Sequence, residues 1–96
     1  MTEVACVAIS VAKPGHESEL CKALESLIEP TRNEKGVLQY EMHRDLGEPR
    51  RFVFIERWEN ADSFWAHVNS THVAAYLNEV DGWLEHSEFH ALKKLK

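Results

Sequence analysis

Two stretches of this chain place apolar side chains on both faces of an extended strand, and this limits the folds open to it. From Phe52 to Trp58, the residues Phe52, Phe54 and Trp58 fall on one parity and Val53 and Ile55 on the other. From Val4 to Val11, the set Ala5, Val7, Ile9 and Val11 opposes Val4, Cys6 and Ala8. Side chains alternate along a strand with a period of two. Both faces of these strands therefore need cover, and a single layer of helices provides it on one side only.

The rest of the chain supplies that layer. Lys13-Pro14-Gly15 ends the first strand as a turn. The spacing of Leu20, Leu24, Leu27 and Ile28 predicts a helix over about 17–33, with Pro30 tightening its final turns and Gly36 suited to the left-handed position beyond its end. A second strand is expected over 37–44, with Leu38, Tyr40 and Met42 on one face. Residues 45–49 read as a hairpin loop leading into the strand 52–58. Asn60 is a good N-cap, followed by Phe64, His67 and Val68 on a short helix. Ser70 or Thr71 can cap another helix, on which Val73, Leu77, Val80 and Leu84 mark a stripe. A last strand is expected over 88–95. The order β-α-β-β-α-β, with its second helical part split, is that of a ferredoxin-like α+β fold: an antiparallel sheet with helices on one face. An uncovered apolar sheet face is unusual on a soluble monomer. A second copy packed sheet against sheet would cover it, so a homodimer is expected.

Composition narrows the partners. Ninety-six residues fit one domain, expected to span 1–96. The net charge of −5 argues against nucleic acid, whose phosphates need clustered Lys and Arg. Lys93, Lys94 and Lys96 are the only basic cluster and read as a solvated chain end. Cys6 and Cys21 have neither disulfide-framework nor metal-site spacing. With no signal-peptide pattern and no apolar run long enough to cross a bilayer, the reading is a reduced, cytoplasmic protein without a membrane partner.

Several residues in order carry a resemblance. Lys13-Pro14-Gly15, Glu34-x-Gly36-x-x-x-Tyr40, Glu56-x-Trp58, and His67 followed by Ser70-x-His72 together resemble the antibiotic biosynthesis monooxygenase domain family, the small dimeric α+β barrel proteins. The resemblance spans nearly the whole chain. It implies one of several activities: cofactor-free quinol or anthrone monooxygenation, haem degradation, or isomerisation of a phosphorylated signalling molecule. Some similar proteins have no known activity. The haem-degrading branch typically has an Asn on the first strand. Here that strand holds only small and apolar residues, His67 stands at the Trp position of that branch, and Leu77 stands at its His position.

His67 is the first candidate catalytic residue. It shares a stripe with Phe64, so it faces inward, and a neutral imidazole can take a proton from a phenol. The alternative is a buried histidine paired with backbone or a carboxylate. His72, in the first turn of the next helix, is kept neutral by the helix dipole, and Tyr76 shares its face. A metal pair is not expected, because five helical residues rotate by roughly 500° and no third ligand is evident. Tyr40, Trp58, Phe64 and Trp65 are expected at or near the pocket walls, with Trp65 at the mouth or on the surface. Glu56, inside an apolar strand, must find a partner or take up a proton; Arg44, Arg51, Arg57 or His43, from this chain or a second copy, are the candidates for a structural ion pair, and a catalytic base is the alternative.

The expectation is a cofactor-independent monooxygenase acting on a hydroquinone or polycyclic phenol with dioxygen. His67 is the base, and Asn60, His72 and Tyr76 are hydrogen-bond partners for substrate oxygens. No nucleotide-binding pattern is present, and no cofactor or metal is expected. The alternatives are an isomerase of a small phosphorylated sugar, which needs cations such as Arg44, Arg51 and Arg57, and a non-catalytic ligand-binding dimer.

Overall fold

A computed structural model describes residues 2–96. Its elements are β1 (Val4–Ala12), α1 (Glu17–Glu25), α2 (Ile28–Arg32), β2 (Val37–Arg44), β3 (Arg51–Trp58), α3 (Ala61–Val68), α4 (Thr71–Glu79) and β4 (Leu84–Lys93). The strands form one antiparallel sheet in the order β2-β3-β1-β4. This is the expected ferredoxin-like α+β arrangement, with helices packed on one face.

The period-two pattern decides which face they cover. Phe52, Phe54, Glu56 and Trp58 of β3 are all buried, as are Cys6 of β1 and Tyr40 of β2. Against them pack Leu20, Leu24 and Leu27, the stripe of the first helical segment, each at most 5% exposed. Burial of each such large side chain contributes roughly 1.5–3 kcal/mol. The opposite face carries Val7, Ile9 and Val53, only half-buried, with Ile55 41% and Leu92 44% exposed.

Three expectations are corrected. The single helix over 17–33 is two helices, broken at Ser26 and Leu27. Pro30 explains the break. Its ring crowds the carbonyl four residues back, at Ser26, and it has no N–H to donate there. Leu27 N–H bonds to Leu24 O, 3.1 Å away, in the tighter i−3 pattern, while the Ser26 hydroxyl donates to the Ala23 carbonyl. Leu84 is not helical: α4 ends at Glu79, and Leu84 opens β4 opposite Ala12. The last strand therefore starts at Leu84 and not at Glu88. Leu77, expected on the buried stripe, is 52% exposed, while its neighbour Tyr76 is buried.

Gly36 does adopt the left-handed conformation, with φ +87°, and its carbonyl accepts from Glu59 N–H at 2.8 Å. A Cβ there would collide with the Ser63 hydroxyl and lie 2.6 Å from Ser63 Cβ. The turn carrying Glu34 and Lys35 is thus pressed against the start of α3. Among the described residues no helix is long and apolar enough to cross a membrane.

Candidate active site

The site begins with a cap. Asn60 Oδ1 accepts from Ser63 N–H at 2.9 Å and starts α3. From that start, Phe64 and His67 fall three residues apart on the inward side, 1% and 6% exposed. The helix stops at Val68, and Ser70, in extended conformation, caps α4 through its hydroxyl. This break redirects the chain. His72 turns back toward His67, with ring centroids 6.0 Å apart.

Glu34 joins them from the turn before β2. His67 Nδ1 lies 2.7 Å from Glu34 Oε2, and His72 Nε2 lies 3.0 Å from the same oxygen. Thr31 Oγ1 stands 3.2 Å from His72 Nε2. An ionised carboxylate only accepts, so the network assigns the His67 proton to Nδ1. Nε2 then holds the lone pair, and it has no hydrogen-bond partner among the described residues. Burial lowers the His67 pKa below the ordinary imidazole value, outweighing the hydrogen bond and charge of Glu34, which act the other way.

His67 lines a cavity of about 450 Å³ between helices and sheet. That volume is in the range of small-molecule sites, and it removes the ground for reading the interior as wholly filled by core. Tyr40, Phe54, Phe64 and Tyr76 contribute aromatic wall. The Tyr76 hydroxyl is buried without a hydrogen-bond partner among the described residues, Ser10 lying near it but outside bonding geometry. Half-exposed Leu77 and Phe89 stand at the rim.

Glu56 also faces this cavity and is 4% exposed. Trp58 Nε1 donates to its Oε1 at 3.0 Å, and the Trp58 ring stacks on His67 at 4.7 Å. Burial pushes the Glu56 carboxyl up to about 7, against the Trp58 hydrogen bond and with help from the charge of Glu34. Among the described residues of this chain, none of the expected cationic partners reaches Glu56. Arg51 and Arg57 have the opposite parity and point to the other face, where they pair with Asp45 and Glu3. Arg44 lies over the Phe52 ring, and His43 is exposed.

The sequence candidates therefore divide. His67, Tyr40, Phe64 and Tyr76 line the cavity. Asn60 is engaged as a cap, and Trp58 lies behind His67. Trp65, 48% exposed, packs edge-on to Phe64 and near Phe89 outside it. His72 touches Glu34 and Thr31 in place of the cavity. Among the described residues no Arg or Lys lines the cavity, so this chain's cations that a phosphosugar needs stand elsewhere.

The rotational argument against pairing the histidines is overturned by the break between α3 and α4. Glu34, His67 and His72 offer three donor atoms within 4.8 Å of one another, a set of the kind that holds zinc. Both imidazoles engage one carboxylate oxygen. Glu34 is the residue that sequence reasoning missed. Its only signal was its place two residues before Gly36, and a glutamate in a turn ordinarily reads as solvated charge.

Residues 4–79 match the model of the family described as "Antibiotic biosynthesis monooxygenase". The chain is 28% identical over 65 residues to the Bacillus subtilis protein named "Putative monooxygenase YcnE", covering 68% of each. Among solved structures, PA3566 from Pseudomonas aeruginosa superposes with a TM-score of 0.93 at 29% identity, covering 100% of this chain and 97% of that one. Protein SO0527 from Shewanella oneidensis superposes with a TM-score of 0.93 at 30% identity, covering 97% and 91%.

Proposed function

The chain belongs to the antibiotic biosynthesis monooxygenase family, and from that premise we propose that it is a cofactor-independent monooxygenase of a hydroquinone or polycyclic phenol. The observation that carries this reading is the Glu34–His67 pair beside an aromatic-walled cavity. His67 Nε2 takes the phenolic proton, and Glu34 holds the resulting imidazolium. The electron-rich anion passes an electron to dioxygen, and a carbon–oxygen bond forms at a ring carbon bearing hydrogen. The hydroperoxide then loses water: the C–H proton leaves, its electron pair forms the new C=O, and the O–O bond breaks. One hydroquinone and one dioxygen give one hydroxyquinone and one water.

Tyr40, Phe64 and Tyr76 hold the ring flat and exclude water, and the free Tyr76 hydroxyl is a donor for a substrate oxygen. His72 is a positioning residue, acting through Glu34. The apolar outer sheet face supports a homodimer. The decisive experiment is oxygen uptake with a panel of quinols. Turnover should require dioxygen and should fall about 10²-fold in His67→Gln, the scale of a lost general base. Oxygen-independent product, or an unaffected variant, overturns the reading.

A further inference from the structure

Resting on the monooxygenase reading, we propose that Glu56 is the general acid of the reaction, delivering a proton to the departing peroxide oxygen so that it leaves as water. The geometry begins with isolation. Glu56 is buried on the cavity wall, and its only hydrogen bond among the described residues is from Trp58 Nε1 to Oε1. Among the described residues no cation pairs with it. The ionisable groups around it are Cys6 and Tyr40 on the neighbouring strands, Glu34, His67 across Trp58, Tyr76 from α4, and Glu88 from β4.

With His67 as the free base none of these favours a carboxylate, and only the Trp58 hydrogen bond does. A purely structural role for Glu56, as acceptor for the indole, would be served equally by an amide, which raises no burial problem. A carboxyl there holds a transferable proton on the cavity wall, and burial drives it toward the neutral form. His67 is driven the other way, toward the free base. Two titratable groups in one cavity, pushed apart by their surroundings, are how an acid and a base are set side by side. Trp58 touches both, stacked on one and bonded to the other.

The hydroperoxide carries its O–O bond, and the ring C–H proton goes to a base. The C–H electron pair becomes the new C=O, and the O–O electrons leave with the distal oxygen. That oxygen, already bearing one hydrogen, takes the Glu56 proton and departs as water. Without the acid, the competing path is loss of the whole peroxide. Hydroquinone and dioxygen then give unhydroxylated quinone and hydrogen peroxide, which is also balanced.

The test is Glu56→Gln, which keeps the shape and the acceptor for Trp58. With 1,4-dihydroxynaphthalene as probe, hydroxyquinone, and oxygen recovered on adding catalase, are measured beside oxygen uptake. The variant should still consume oxygen but divert at least tenfold more of it to hydrogen peroxide than wild type. An unchanged ratio of water to peroxide would sink the acid role alone. Absence of uptake by the wild-type protein would sink the monooxygenase reading, and the acid role with it. Should the variant fail to fold, a ¹³C NMR titration of the wild-type Glu carboxyls decides. Glu56 should take up its proton near neutrality, and a carboxyl ionised throughout pH 5–8 overturns the proposal.

Discussion

His67 meets two opposed influences. Burial disfavours its charged form, and Glu34 at 2.7 Å favours it. Burial prevails, so the ring remains a free base below the ordinary imidazole value of 6.5. Glu56 is shifted oppositely, to about 7. The signs then fix the pH profile. Activity needs neutral His67, so it rises as pH climbs through a value below 6.5. Hydroxyquinone formation also needs protonated Glu56, so it declines as pH passes about 7 and the oxygen consumed goes to hydrogen peroxide instead. A bell with its maximum on the acid side of neutrality is expected from initial rates of hydroxyquinone formation over pH 5–9. A rate still climbing at pH 9 would contradict the pairing. The inward aim of His67 could be read from its spacing after Phe64. Its partner could not, because Glu34 stands 33 positions away and only the folded chain brings them together.

The connections between elements set the site more than the elements do. The order and type of the strands were legible from parity alone. The break between α1 and α2 was not, since Pro30 acts at a carbonyl four residues earlier, whereas the α3–α4 stop was marked by the capping residue Ser70. That stop turns His72 onto Glu34. Gly36 is the other determinant, holding the Glu34 turn against Ser63 at a φ open mainly to glycine. Gly36→Ala forces both the left-handed strain and the Ser63 collision. It should cost roughly 2–3 kcal/mol, or about 10–20 °C in Tm for a chain of this size. Oxygen uptake should fall as well, because Glu34 moves off His67. Thermal melts and uptake on the same sample check both effects, and an unchanged Tm would mean that the turn yields freely.

For the whole molecule, one sheet face is sealed by helices and the other is not. Val7, Ile9, Val53, Ile55 and Leu92 form its apolar centre. We propose that a second copy covers it, since a two-fold axis matches such a patch to itself. Ile55→Asp places a charge in the middle of that face and on no helix contact. The variant is expected to elute as a monomer in size-exclusion chromatography with light scattering, where the wild-type chain runs at twice its own mass. A wild-type monomer at micromolar concentration would rule the dimer out. This face was legible in the sequence as two strands apolar on both parities. The cavity was not, because a space between side chains leaves no trace in a pattern of residue types.

Trp58 is wholly buried, its ring lies on an imidazole, and its indole N–H is tied to a carboxyl. An indole's emission is quenched by a charged imidazolium and shifted by a change at its N–H. The chain therefore contains a native fluorophore wired to both proton-handling groups, an optical gauge that reports their state without any label.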